Sequence, residues 1–318
     1  MSDSPPRAPA PPAGPSGTIG EPSGAARSDA SAQIWTIGEL LRWTQQRFAA
    51  IGIGEARLDA ERLLAHALGC ARMTLYTEHD RPVDDAARGR FRELVRRRLG
   101  REPVAYIEGR RGFHALDLEL AVDARVLVPR PETEHLVDWM LEDLRASDAA
   151  HVLDVGTGSG AIALAIKHAR PELDVLAIDV SAGAVEVARG NAERLELAVV
   201  VHRSDLLGEL ELPDSGFTAI AANLPYIPTA ELAELEPEVA RHEPTLALDG
   251  GVDGLAVIDR LLAQVIERGA LAAGGAIYLE VGHDQAPAVV ARLLALGLAA
   301  ETRNDYAGIA RVVRGRRE

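Results

Sequence analysis

The sequence predicts an α/β protein in which a doubly wound, mainly parallel sheet of Rossmann type follows a small helical domain. Three observations predict it. Short apolar runs at 151–155, 175–179, 199–202, 218–222 and 276–281 recur with helical patterns mostly between them, the alternation that strand–helix–strand units produce. Directly after the first run, Gly156, Gly158 and Gly160 lead into a helical pattern at Ala161, the place where such folds admit a ligand to the backbone. Upstream, three segments between residues 36 and 99 carry apolar side chains at helical spacing.

The elements follow in order. Residues 1–31 hold seven prolines among Ala, Gly and Ser and almost no large apolar side chain, so too little surface can be buried to offset ordering entropy, and a disordered tail is expected. Residues 32–110 are expected to form the helical domain. Thr36-Ile-Gly-Glu39 has the form of a capping box, and Ile37, Leu40, Leu41, Thr44 and Phe48 then continue at helical spacing up to Gly52. A second helix carries Leu63, Leu64, Ala67 and Leu68 and stops at Gly69; a third spans about 84–99 with Phe91, Leu94 and Val95 apolar. Residues 111–128 contain alternating Leu116, Leu118, Leu120 and Val122 and read as a hairpin or extended linker. The larger domain, 129–318, closes with a predicted hairpin of 298–303 and 309–313 around Gly308.

Composition narrows the function. The 318 residues are 47% hydrophobic and 26% charged, as expected of a globular chain with one large or two ordinary domains. The single cysteine, Cys70, excludes an intramolecular disulfide and a cysteine metal cluster and fits a reducing cytoplasm. The net charge of −14 disfavours a general nucleic-acid-coating role, and no direct sequence-specific nucleic acid binding is expected. No apolar run approaches the roughly 18–20 residues that span a bilayer, and the N-terminus lacks the apolar core of a signal peptide, so a cytoplasmic protein with no membrane partner is expected. The nine histidines show no metal-ligand spacing and no Ser-His-Asp or Cys-His constellation.

The chemistry concentrates at strand ends. In Asp154-Val-Gly156-Thr157-Gly158-Ser159-Gly160 the glycines let a ligand reach backbone N–H groups at the positive end of a helix. Asp179 closes the next strand, where its carboxylate can accept hydrogen bonds from ribose hydroxyls, and Ser204-Asp205-Leu206 at the end of the third offers a polar and an apolar group to an adenine ring. Together these point to a nucleoside ligand. Asn223-Leu224-Pro225-Tyr226 follows the fourth strand and resembles the Asn-Pro-Pro-Tyr motif of amino-methyltransferases. An amide or exocyclic amine nitrogen has a delocalised lone pair, so such an enzyme needs acceptors for both N–H bonds and a face against the planar group. The Asn223 side-chain oxygen and the Leu224 carbonyl can be those acceptors, with Pro225 and Tyr226 as walls. Leucine stands where the family has its first proline; the acceptor there is a backbone carbonyl, so the chemistry survives while the turn loses some rigidity.

Further segments sharpen the likeness. Arg98-Leu-Gly-Arg-Glu102-Pro103-Val-Ala-Tyr106-Ile107, Val128-Pro129-Arg130-Pro131-Glu132-Thr133-Glu134, Glu243-Pro244, Gly250-Gly-Val-Asp253-Gly254-Leu255, Leu279-Glu280-Val-Gly-His-Asp-Gln285 and Asp305-Tyr-Ala-Gly308-Ile-Ala-Arg311 stand in the order seen in the bacterial peptide chain release factor glutamine methyltransferases of the HemK type, which the chain resembles over about residues 35–315. The resemblance implies a Rossmann-like class I methyltransferase fold. It implies S-adenosylmethionine as cofactor, leaving S-adenosylhomocysteine, with residues 129–318 as the catalytic domain. Asp154, Gly156, Thr157, Gly158, Ser159, Gly160, Asp179, Asp205, Leu206 and Asn223 would hold the cofactor. Release factors would be the protein partners, methylated on the amide nitrogen of the Gly-Gly-Gln glutamine, with the helical domain recognising them. A ribosomal-protein glutamine methyltransferase, an adenine-N6 methyltransferase and a non-catalytic binding protein remain alternatives. Glu280 and His283 read as shaping the floor of the sheet, and the arginines between Arg88 and Arg101 as a solvated face or a docking surface.

Overall fold

The computed structural model describes residues 35–114, 118–146, 150–208 and 210–318; the proline-rich tail expected at 1–31 lies outside them. The helical domain begins with α1 (Ile37–Ala50), whose capping box forms in full: Thr36 Oγ1 accepts from the Glu39 N–H at 3.3 Å and Glu39 Oε2 from the Thr36 N–H at 2.9 Å. Gly52 sits just beyond it at φ +75°. Helix α2 (Ala56–Leu68) ends on left-handed Gly69, and α4 (Asp85–Leu99) is capped by Asp84, with the short α3 (Arg72–Thr77) between them. A fifth helix, α5 (Val104–Glu108), completes the domain around Ile37, Phe48, Leu63, Leu64, Phe91 and Val95. At six and five residues, α3 and α5 are too short for periodicity to reveal.

The connecting hairpin pairs β1 (Arg110–Phe113) with β2 (Leu118–Ala121), starting one residue earlier and ending sooner than the alternation suggested. Of the alternating set, Leu116 lies outside the described residues, Leu118 and Leu120 belong to the ladder, and the buried Val122 follows it, donating its N–H to the Gly109 carbonyl at 3.2 Å. Helix α6 (Pro131–Asp143) then opens with Pro131 in its first turn and Glu132 and Glu134 beside the positive helix end.

The sheet consists of β3 (His151–Val155), β4 (Asp174–Asp179), β5 (Val200–Arg203), β6 (Phe217–Ala222), β7 (Leu271–Glu280), β8 (Ala299–Asn304) and β9 (Ala310–Arg316), in the order β5-β4-β3-β6-β7-β9-β8. Strands β3 to β7 pair in parallel, and β9 runs antiparallel to both its neighbours, β7 and β8. Helices α7 (Ala161–Ala169) and α8 (Ala182–Arg194) join α6 on one face, with the short α9 (Pro237–His242) in the loop after β6; α10 (Ala256–Glu267) and α11 (Ala286–Ala295) cover the other. Because both faces are covered, β3, β6 and β7 are nearly continuous apolar runs without polar alternation. Chain order reverses between β3 and β6, and folds of this kind bind their ligands in the crevice at the carboxyl ends of such a pair.

The two parts are joined by a buried cation. Arg98, in the last turn of α4, bonds Asp59 of α2 at 2.7 Å and Glu238 of α9 at 2.7 Å, and Arg101 reaches the other oxygen of Glu238 at 2.6 Å. Burial raises the Asp59 pKa despite Arg98, whereas Arg98 and Arg101 overcome the burial of Glu238 and lower its value. Removing one partner leaves the others as uncompensated charge, which costs about 3–5 kcal/mol in such settings. Arg98→Ala is therefore expected to destabilise the protein by that amount in urea unfolding, far more than Arg96→Ala, whose pair with Glu93 is exposed and screened by solvent.

Candidate active site

A cleft of about 400 Å³ opens at the carboxyl ends of β3, β4 and β6, within the range of about 300–1,000 Å³ that small-molecule sites occupy. Its floor is the glycine loop. Gly156 and Thr157 donate their N–H groups to the Ile178 carbonyl, both at 2.9 Å, which lays the loop along the end of β4. The Gly158 N–H donates to Asp179 Oδ2 at 2.9 Å, and the Ser181 N–H to Asp179 Oδ1 at 2.9 Å. Each carboxylate oxygen of Asp179 keeps acceptor capacity after one such bond. Gly158, at φ +56°, faces open space where a side chain would otherwise stand in the cleft. Gly156, at φ +74°, is needed for another reason: a Cβ there would lie 3.0 Å from Leu224 Cδ2.

The structure brings Gly156, Thr157, Gly158, Ser159, Asp179, Asp205, Leu206, Asn223, Leu224 and Pro225 to this one cleft. Asp205 pairs there with Arg260 at 2.7 Å. Leu206 adopts φ +52°, a left-handed conformation costing about 1–3 kcal/mol in a non-glycine residue, and its carbonyl accepts from the Ser204 hydroxyl at 2.7 Å. Three other predicted residues stand outside the lining. Asp154 is buried beneath the loop, where Oδ2 accepts from the Thr157 hydroxyl at 2.6 Å and the Ala163 N–H at 3.1 Å. Gly160 caps α7 at φ +87° against Leu164. The Tyr226 hydroxyl donates to Glu280 at 3.3 Å.

That last contact belongs to a buried polar chain unsuspected from sequence. Glu280 ends β7 and is 1% exposed. Its Oε2 accepts from the Thr133 hydroxyl at 2.6 Å, and Thr133 Oγ1 in turn accepts from Asn223 Nδ2 at 3.0 Å. Burial pushes the Glu280 carboxyl up to about 7, against the pull of Thr133, Arg311 and Tyr226; burial, followed by Glu280, raises the Tyr226 phenol, which stays protonated and donating. With its nitrogen committed to Thr133, Asn223 presents an Oδ1 that receives no hydrogen bond from the described residues and remains accessible in the cleft wall. Arg130, also in the lining, grips both oxygens of the buried Glu243 at 2.7 and 2.8 Å.

The backbone of the Asn223–Ile227 turn is clamped from behind. Gln285 Nε2 donates to the Tyr226 carbonyl at 2.8 Å, the Ile227 N–H donates to Leu248, and Gly250 donates back to Ile227. A Cβ at Gly254 would lie 2.2 Å from the Tyr226 carbonyl oxygen, and one at Gly250 would lie 2.7 Å from that of Pro225. The Gly250–Leu255 segment is thus glycine-rich because two loops touch backbone to backbone.

This geometry meets known proteins at family level. Residues 39–109 match the family model of the PrmC N-terminal domain, and 134–236 the methyltransferase small domain. The release factor glutamine methyltransferase of Rhodopirellula baltica is 46% identical over 78% of this chain and 84% of its own length; that of Geobacter sulfurreducens is 41% identical over 89% and 98%. The chain belongs to the release factor glutamine methyltransferases. Among solved structures, the hMettl16 catalytic domain, determined in complex with MAT2A 3′UTR hairpin 6, superposes with a TM-score of 0.50 at 15% identity over 62% of this chain and 75% of that one, a likeness of fold. The fold is that of the class I methyltransferases, and the protein is a methyltransferase. Arg130, Thr133, Glu243, Glu280 and Gln285 fall inside sequence segments characteristic of the family, yet their contacts cross between elements far apart in the chain, so spacing alone gave them no role. Asn191 carried no signal at all: fully buried, it binds both the Ala121 backbone and the Ser159 carbonyl, tying hairpin to glycine loop. No helix of the described residues is long and apolar enough to cross a membrane, and no cluster of three or more candidate metal ligands occurs among them.

Two outcomes follow from these contacts. Gly254→Ala must displace the Tyr226 carbonyl and is expected to cost about 1–3 kcal/mol of stability and to depress turnover, read by urea unfolding and by initial rates. Burial pushes Asp154 up to about 7 from 3.8, so the folded state holds this proton more tightly than the unfolded chain. Its stabilising contribution is full below about pH 4 and is lost as pH rises through about 7. Asp154→Asn is expected to gain on the wild type by more than about 1 kcal/mol between pH 5 and 8, the equivalent of one pKa unit; parallel stability curves for the two proteins would count against it.

Proposed function

We propose that the protein transfers a methyl group from S-adenosylmethionine to the side-chain amide nitrogen, N5, of the glutamine in the Gly-Gly-Gln motif of peptide chain release factors. The observation that carries this reading is the Asn223 carboxamide, anchored through its nitrogen and offering a free acceptor oxygen in the cleft wall. The relatives named above, matched over nearly their whole length, support the substrate class.

The residues present fit the cofactor. Gly158 leaves open the space that a Cβ would fill, Asp179 keeps lone pairs for two ribose hydroxyls, and Leu206 gives the apolar contact that an adenine ring needs. When bound, S-adenosylmethionine supplies a methyl group on a positively charged sulfur, a leaving group that requires no acid. The chain's own part is positioning, which contributes about 7–11 kcal/mol in favourable systems. Asn223 Oδ1 and the Leu224 carbonyl accept the two N–H bonds of the substrate amide, and Pro225 walls it. Methylation leaves the nitrogen cationic and strongly acidic, so its proton passes to water without a tuned base; no histidine lines the cleft. Arg98 and Arg101 fasten the helical domain beside the cleft, a fixed placement from which it can recognise the rest of a release factor.

Incubation of a purified release factor with the protein and S-adenosylmethionine is expected to add about 14 Da to the Gly-Gly-Gln peptide. Asn223→Ala should lower turnover by about 100-fold or more at saturating S-adenosylmethionine, whereas Asp179→Ala should weaken cofactor binding in calorimetry. Normal turnover by Asn223→Ala, or methylation of an RNA or DNA oligonucleotide in place of the factor, would reject the reading.

A further inference from the structure

The proposal concerns Glu280, which touches neither cleft nor cofactor loop but terminates the chain of hydrogen bonds that begins at Asn223. A carboxamide has two ends of similar size and opposite hydrogen-bonding character, and a substrate N–H can be held only by the oxygen. Something must therefore decide which end of Asn223 faces the cleft. Thr133 touches the carboxamide directly, but a hydroxyl both donates and accepts and so tolerates either end. The decision passes to whatever fixes the single hydrogen of Thr133.

That group is Glu280. As a carboxylate it is acceptor-only, so at 2.6 Å it takes the Thr133 hydrogen and at 3.3 Å the Tyr226 hydrogen. With its hydrogen committed, Thr133 Oγ1 can only accept, Asn223 must offer Nδ2, and Oδ1 is left for the cleft. We propose that Glu280 is a positioning residue whose negative charge sets the polarity of the Thr133–Asn223 pair and so presents the Asn223 oxygen to the substrate amide. The same carboxylate orients the Tyr226 phenol, so one buried charge governs two residues of the Asn223–Tyr226 motif. If Glu280 gains a proton it can donate to Thr133, whose own hydrogen is then released toward Asn223, and the carboxamide turns its NH2 into the cleft, where it repels a substrate N–H.

The charged groups acting on Glu280 come from every side: Arg311 of β9 favours the carboxylate, Glu132 of α6 opposes it, and Thr133 and Tyr226 donate to it. Arg311 is itself anchored by Asp305 and the Val281 carbonyl, which holds its charge near the end of β7. This inference rests on the reading that Asn223 accepts from the substrate amide.

The test compares Glu280→Gln, which keeps size but not acceptor-only character, with Thr133→Val, which keeps shape but not the hydroxyl, in the full-length protein. Both are expected to lower kcat by about 10- to 100-fold, as a misdirected contact does, while the Kd for S-adenosylmethionine stays within about 2-fold of wild type, since the glycine loop and Asp179 are untouched. Thr133→Ser should recover what Thr133→Val loses. The wild-type kcat should fall on the acid side as Glu280 protonates, and Glu280→Gln should lack that limb. The side-chain NH2 resonances of Asn223, followed by NMR, should move with pH in the wild type and stay still in Glu280→Gln, a readout independent of any substrate. Wild-type kcat in both variants, or pH-invariant Asn223 resonances in the wild type, would overturn the proposal; should Glu280→Gln fail to fold, Thr133→Val and the resonances decide. Failure of the wild type to methylate a release factor, with the Asn223 resonances titrating as described, would instead sink the substrate reading and leave the role of Glu280 in place.

Discussion

The cleft depends on one constraint, the contact of two backbones. The turn after β6 must lie against the Gly250–Leu255 loop so closely that a single Cβ at Gly254 would overlap the Tyr226 carbonyl. From this follow the amide of Gln285 as a clamp on that carbonyl, the exchange of hydrogen bonds between Ile227, Leu248 and Gly250, and the fixed exit of the chain toward α9. A turn held so firmly can present Asn223 without relying on the stiffness of a second proline. That accounts for how Leu224 can occupy the position: rigidity lost from the local chain is supplied by the loop behind it.

Electrostatics divide the molecule in the same way. Buried carboxylates recur at the junctions between elements and do different work according to their partners. Asp59 and Glu238 share Arg98 across the two parts of the chain, Glu243 is gripped by Arg130 at the cleft wall, and Asp143 of α6 holds Tyr278 and Arg314 on the sheet. Among the described residues no cation is bonded to Asp154 or Glu280, and burial accordingly pushes both up to about 7. Both lie one layer behind a motif that the cleft displays, Asp154 under the glycine loop and Glu280 behind Asn223.

Much of this was legible in the sequence for identifiable reasons. Strands β3 to β6 lie within one residue of their expected bounds because strands covered on both faces are uninterrupted apolar runs, whereas β7 begins five residues before the expected run, where Gly274 and Gly275 break the apolar pattern; the capping box of α1 is a local signature. The glycine loop and the Asn223–Tyr226 motif were readable as compact local patterns, although the contacts that require Gly156, Gly250 and Gly254 come from distant segments. What escaped shares the opposite property. Thr133, Asn223 and Glu280 come from α6, the turn after β6, and β7 and are separated by 90 and 57 residues, so no window along the chain contains their relation. The chemistry of Tyr226 suggests a wall for the substrate; that its hydroxyl also bonds the buried Glu280 is something only the packing of β6 beside β7 reveals.

Leu224 carries a consequence for how the sequence is free to drift. Its side chain is 4% exposed and packs among Leu153, Val155 and Leu255, and its Cδ2 approaches to within 3.0 Å of where a Cβ of Gly156 would stand. A proline at this position would exchange a branched chain for a shorter ring and open a hole between the glycine loop and the turn that follows β6. Leucine is therefore held in place by its neighbours: a proline harmless to the chemistry would still need compensating bulk elsewhere in that pocket.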